Sequence, residues 1–177
     1  MPVRKLRVAQ VGYGMFGADV VAGTMWDLQR NGLAPYLDRL GLDDWSQEYT
    51  GIEVEMVTIG TRTRESAERA VGENQAHTGL RPLPYYGESP WEAILVEVAD
   101  LDVLVVATPD HLHAAPILAA LNHGVHVITE KPMCLRLEEA RQIAKLAANQ
   151  ALFDEGKPRT VTAGCGAEGG WRTAPPP

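Results

Sequence analysis

Val8-Ala9-Gln10-Val11-Gly12-Tyr13-Gly14-Met15-Phe16-Gly17 is the stretch that decides the fold of this chain. A short apolar run, preceded by Arg4, Lys5 and Arg7, feeds without a gap into Gly-x-Gly-x-x-Gly, and helical sequence from Met15 to about Arg30 follows. Context outweighs the glycines, which also occur in turns for purely conformational reasons. A strand that ends in a tight turn and opens a helix points free backbone N–H groups at whatever lies above the turn. The helix dipole adds partial positive charge there, so the place suits a pyrophosphate. On this reading Gly12 permits the turn, Gly14 lets the backbone approach the phosphates, and Gly17 lets the helix pack close on the strand. Gly12, Tyr13, Gly14, Met15, Phe16 and Gly17 are therefore the first candidate residues for binding a dinucleotide.

The remaining composition sets the class. A chain of 177 residues, 45% hydrophobic and 22% charged, has the make-up of an ordinary soluble globular domain with a real core. Its formal charge of −7, with no basic block, disfavours nucleic acid and anionic membranes as partners. No apolar stretch has the length of a membrane span, and Met1–Arg7 is too polar for a secretory leader. Cys134 and Cys165 follow no Cys-x-x-Cys spacing, so the expectation is free thiols in a cytoplasmic protein.

Apolar strands alternate with helical stretches along the chain, the pattern of a parallel sheet covered on both faces. Strands are expected at Leu6–Val11, Glu53–Ile59, Pro82–Tyr86 (an edge strand, because of its prolines), Asp102–Ala107, Val125–Ile128 and Arg159–Ala163. Helices are expected at Arg64–Gly72 with Ala67, Ala70 and Val71 inward, and from Ser89 to about Asp100, opened by a hydroxyl cap and Pro90. Two more follow at Leu112–Asn122, ended near Gly124, and at Leu135–Asn149, with Leu137, Ala140, Ile143, Ala144 and Ala147 as its inner face. The predicted fold is α/β, a doubly wound parallel sheet of about six strands in a single domain over residues 1–163. An insertion of about twenty residues, 32–51, with a short helix at Pro35–Leu40, lies outside the sheet. Residues 164–177 lack periodicity and are expected to be an unstructured tail.

Three motifs occur in order: Gly12-Tyr-Gly-Met-Phe-Gly17, Ala107-Thr-Pro-Asp-His-Leu-His113 and Glu130-Lys-Pro132. Together they resemble the N-terminal half of the Gfo/Idh/MocA oxidoreductases, a family of Rossmann-type NAD(P)-dependent enzymes. The resemblance covers Leu6 to about Ala163, apart from the insertion. It implies hydride transfer with a sugar, a polyol or a related carbonyl compound. It also implies that Thr108 and Pro109 lie along the cofactor and that Lys131 is the catalytic residue, beside the nicotinamide and the reacting hydroxyl. Hydride leaves a carbinol carbon only as the hydroxyl proton is taken, so a positioned donor–acceptor is required. Glu130 is given a supporting role, and His113 is read as lining the site. The family carries a second, substrate-holding domain, which nothing after Ala163 resembles. The expectation is a cofactor-binding half, produced by truncation or a shifted reading frame, that binds cofactor without appreciable turnover. A catalytically silent nucleotide-binding or regulatory module and a nonfunctional fragment are the alternatives.

The cofactor's second ribose discriminates further. NAD binders usually place an acid at the end of the second strand to hold the ribose hydroxyls. Here the position reads Ile59-Gly60-Thr61-Arg62-Thr63-Arg64, without an acid and with two arginines. Thr61 and Arg62 suit a 2′-phosphate, since guanidinium forks onto phosphate oxygens, so NADP is preferred over NAD. Asp110, His111, His113, His123 and His126 invite a metal, but their spacing does not converge on one ion and no metal is expected. Cys134 reads as a small core residue rather than a reactive thiol.

Overall fold

The computed structural model describes residues 4–42, 51–151 and 161–163. The insertion's Asp43-Asp-Trp-Ser stretch, Cys165 and the tail 164–177 lie outside the described residues. Six strands form one parallel sheet in the order β3-β2-β1-β4-β5-β6. They are β1 (Arg4–Val11), β2 (Ile52–Thr61), β3 (Leu83–Tyr86), β4 (Val103–Val106), β5 (His126–Thr129) and β6 (Val161–Ala163). After β1 the chain enters a helix whose first part is π-helical, Gly17–Ala22, and which continues as α1 (Gly23–Asn31). The others are α2 (Ala34–Arg39), α3 (Arg64–Thr78), α4 (Pro90–Glu97), α5 (Ala114–Asn122) and α6 (Leu137–Ala151), with a short 3-10 turn at Asp110–Leu112.

Alternation along the strands sorts the core into two layers. Val8, Met56, Ile59, Val103 and Val105 pack with Met25 of α1 and with Ala70 and Val71 of α3 on one face. Ala9, Val11, Leu104, Val106 and Val127 pack with Ile94 of α4, Ile117 and Leu121 of α5 and Ile143 of α6 on the other. Neighbouring residues of a strand point to opposite faces, so continuous apolar runs such as Val103–Val106 arise where both faces are covered. The register between β1 and β2 slips between Val8 and Ala9, leaving Val57 as an extra residue. Gln29 of α1 accepts the Met56 N–H there at 3.0 Å.

Several expectations are corrected. Strand β2 runs on through Gly60 and Thr61, which therefore belong to the sheet rather than to a turn. Helix α3 continues to Thr78, where Gly79 closes it in the left-handed conformation. Asn74, buried in its middle, donates to the Leu80 carbonyl at 2.8 Å, an anchor that a polar residue in an apolar-face count conceals. Ser89 precedes Pro90 but makes no side-chain cap. On α6 only part of the expected face is covered: Ile143 is buried, whereas Leu137 is 68% exposed and Ala144 is exposed. Helical periodicity marks an apolar stripe but not how much of it the neighbouring elements cover.

Candidate functional site

Strand order reverses between β1 and β4, which leave the sheet's centre in opposite directions through their connections. Ligands of open α/β sheets sit beyond the carboxyl ends of the strands at such a point. A cleft of about 710 Å³ opens there, lined by the Gly12–Gly17 loop, by Gly60–Thr63 and Ser66, by Gly87, Glu88, Pro90 and Trp91, and by Ala107–Pro109 with His111 and Leu112. A smaller hollow of about 280 Å³, lined by residues including Lys5, Gly32 and Ile52, holds none of the predicted site residues.

The three glycines meet different demands. Gly12 has φ +93°, and a Cβ there would stand 2.3 Å from the Ala107 carbonyl oxygen. Its N–H donates to the Gly60 carbonyl at 2.9 Å, so the turn is tied to β2 while it packs against Ala107, just past β4. A Cβ on Gly17 would lie 2.7 Å from the Gly12 carbonyl oxygen and 3.3 Å from the Ala107 Cβ; the helix starts hard against the strand. At Gly14 a Cβ would meet nothing within 4 Å, and the backbone is not left-handed. Folding therefore does not require Gly14, and the bare backbone faces the cleft. The first turn of the following helix leaves N–H groups without intrahelical acceptors beside it.

Gln10 is fully buried, and its carboxamide donates to the carbonyls of Gly12 and Gly17, both at 2.9 Å. One side chain thus clamps both ends of the loop. Sequence reasoning missed it; the signal was a polar residue inside an otherwise apolar strand. Tyr13 contributes to the cleft's wall, but its side chain is buried, and its hydroxyl donates to Glu73 of α3 at 2.5 Å. Burial, and then the hydrogen bond to Glu73, push its phenol well above the usual range. Met15 and Phe16 stand exposed at the rim.

On the far side of the cleft, Thr61 is buried and donates its hydroxyl proton to the Thr63 carbonyl at 2.8 Å, so that proton is not free for a ligand. Arg62 is exposed, and Thr63 caps α3 by accepting the Ser66 N–H at 3.3 Å. Glu88, an exposed acid after β3, shares this end of the cleft and was not anticipated; only the β2–β3 pairing brings it there. Thr108 lines the centre, and its Oγ1 is buried without a partner. The donor-rich glycine loop, the open space over Gly14 and this unpaired hydroxyl all suit a phosphate-bearing dinucleotide.

Glu130, Lys131 and His113 do not line the cleft. Glu130 follows β5, its N–H bonded to the Val106 carbonyl at 3.2 Å, and Lys131 is exposed before a cis bond to Pro132. His113, read from the sequence as a lining residue, is instead 1% exposed beneath the cleft. Cys134 is half-buried against the second core layer, and burial pushes its thiol up. Among the described residues no group of three or more His, Cys, Asp or Glu side chains is placed to hold a metal ion. No helix among them is long and apolar enough to cross a membrane.

A family model described as oxidoreductase family, NAD-binding Rossmann fold, GFO_IDH_MocA, matches residues 6–153. The chain belongs to the Gfo/Idh/MocA family. Inositol 2-dehydrogenase 4 of Saccharopolyspora erythraea is 27% identical over 159 residues, which cover 88% of this chain and 37% of that protein. The WlbA dehydrogenase of Bordetella pertussis, solved with NADH and UDP-GlcNAcA, is 26% identical with a TM-score of 0.56, over 84% of this chain and 35% of that one. KijD10, a 3-ketoreductase of Actinomadura kijaniata solved with TDP-benzene and NADP, shares the fold at 22% identity, a TM-score of 0.56 and 85% and 36% coverage. The chain thus spans little more than a third of the length of these relatives.

Proposed function

We propose that this chain binds a nicotinamide dinucleotide in the cleft at the β1–β4 switch point. There it supplies the cofactor-holding part of a hydride transfer with a sugar, a polyol or a related carbonyl compound. Residues 1–163 form the binding unit in this reading. The observation that carries it is the pairing of an uncrowded Gly14 with the buried, unpartnered Oγ1 of Thr108 across one cleft. Gly12–Gly17 hold the pyrophosphate, and Thr108 and Pro109 flank the cofactor. When bound, the dinucleotide accepts or returns hydride. Lys131 takes the substrate's hydroxyl proton as the alcohol becomes a carbonyl and returns it in the reverse direction. Glu130 supports it.

Arg62, exposed at the cleft and next to the start of α3, supports NADP as the preferred form. Glu88 at the same end, the acid among the described lining residues, suits ribose hydroxyls and favours NAD as the second reading. Titration with NADPH and NADH, followed by the fluorescence of Trp91 in the cleft wall, tests the proposal. Saturable binding of both, tighter for NADPH, is expected. No binding of either would refute the cleft assignment. Lys131→Met is expected to leave binding within about twofold while lowering any measured hydride transfer by about 10²–10⁴. Undiminished transfer would remove Lys131 from the mechanism.

A further inference from the structure

His113 sits where the cleft-lining segment and the Lys131 segment meet. Its Nδ1 lies 2.7 Å from the Pro132 carbonyl oxygen, and its Nε2 lies 2.7 Å from the Thr108 carbonyl oxygen. Both partners are pure acceptors. A neutral imidazole carries one N–H, so its other nitrogen would turn a lone pair on an oxygen lone pair at hydrogen-bond distance; an imidazolium donates to both. The ring is 1% exposed, so both nitrogens find their partners within the protein.

We propose that His113 is a positioning residue that donates from both ring nitrogens and so fixes the Lys131–Pro132 segment against Thr108. The inference rests on the reading of the cleft as a nicotinamide dinucleotide site with Lys131 as its proton carrier. The β4–β5 ladder reaches only as far as the bond from the Glu130 N–H to the Val106 carbonyl, and beyond it the chain is bent and outside the strand. His113 extends that tie by one more rung, from the residue that lines the cleft to the residue that follows the lysine. A side chain with a single donor cannot do this. Asp110 and His111 on the preceding 3-10 turn, and Glu130 and Lys131 beside Pro132, are the titratable groups on the segments it joins. Charge-assisted bonds from an imidazolium are stronger than neutral ones, which suits a clamp with only two contacts.

Two measurements test this. Long-range ¹H–¹⁵N spectra of the whole chain, labelled in histidine at neutral pH, report the protonation of each ring nitrogen. Assignment comes from His77→Gln, His111→Gln, His123→Gln and His126→Gln, made one at a time. Two protonated nitrogens are expected for His113; one nitrogen without a proton overturns the proposal, and does so in the unmodified protein whether or not a His113 variant folds. The second measurement compares NADH with ADP-ribose, which lacks the nicotinamide, in His113→Leu, a variant with no donor. The variant, which removes both donors, is expected to weaken NADH by roughly three- to tenfold and ADP-ribose by less than about twofold. Equal losses for the two ligands mark a merely structural residue, and no loss for either marks an idle one; both overturn the positioning role. If neither NADH nor ADP-ribose binds the unmodified chain, the cleft reading fails, and the spectra still decide how His113 is protonated.

Discussion

Gly14→Ala and Gly12→Ala differ by one position in the same loop, and their effects are expected to run in opposite directions. A methyl at Gly14 meets no protein atom within 4 Å, and the backbone there is not left-handed. Replacing glycine by alanine at a compatible site removes unfolded-state freedom and stabilises by about 0.4–1 kcal/mol. For a chain of this size that raises Tm by about 1–4 °C. In the proposed reading the same methyl stands where the pyrophosphate approaches, and overfilling a close contact costs about 1–3 kcal/mol, or about 5- to 150-fold in Kd for NADH. At Gly12 the methyl would stand 2.3 Å from the Ala107 carbonyl oxygen on a backbone with φ +93°. Left-handed strain of about 1–2 kcal/mol adds to overpacking of about 1–3 kcal/mol, so a Tm lower by at least about 4 °C is expected. Thermal denaturation and NADH titration on both variants read the two effects separately. Gly14→Ala that binds NADH as tightly as the unmodified chain would refute the idea that the open space above Gly14 is the phosphate seat. Gly14→Ala that unfolds as readily as Gly12→Ala would refute the packing argument.

Three further outcomes follow from individual contacts. Arg62→Ala is expected to weaken NADPH by about 1–2 kcal/mol while leaving NADH nearly unchanged, because in the proposed reading the guanidinium serves the 2′-phosphate alone; titration showing equal losses would count against the NADP preference. Gln10→Leu removes two donors from the Gly12 and Gly17 carbonyls and is expected to cost about 1–3 kcal/mol in urea denaturation, with NADH affinity falling as the loop loosens. Tyr13 keeps its proton in the folded state beyond the pH at which an unfolded tyrosine, near pH 10, releases it. The unfolded chain then binds fewer protons than the native one, so stability falls as pH rises above about 10, by up to about 1.4 kcal/mol per pH unit. Tyr13→Phe should flatten that slope; an unchanged slope would show that burial and the bond to Glu73 do not hold the proton.

Much of this architecture is written locally. Strand Val103–Val106, the edge strand at Leu83–Tyr86, the short helix Ala34–Arg39 and the inward face Ala67–Ala70–Val71 all follow from period, proline placement and apolar runs. The glycine loop was legible for the same reason: a strand, a tight turn and a helix start are neighbours in the chain, so their geometry is set by residues a few positions apart. The Thr108-Pro109 and Glu130-Lys131-Pro132 elements were visible only through resemblance, since nothing in their spacing states what they face.

Tertiary structure decided what lies across the gaps. Pairing of β2 with β3 brings Glu88 to the end of the cleft that holds Arg62, and packing of α3 adds Ser66. Folding takes the Thr61 proton for the Thr63 carbonyl, makes Gln10 of the preceding strand a clamp on the fingerprint, and ties Tyr13 within it to Glu73. It also buries His113 between two carbonyls that are five and nineteen residues away. A hydrogen bond is directional and works over about 3 Å, whereas sequence periodicity reports only which side of an element is dry. Which polar atom meets which therefore depends on strand order and register, and those are set by the packed sheet as a whole.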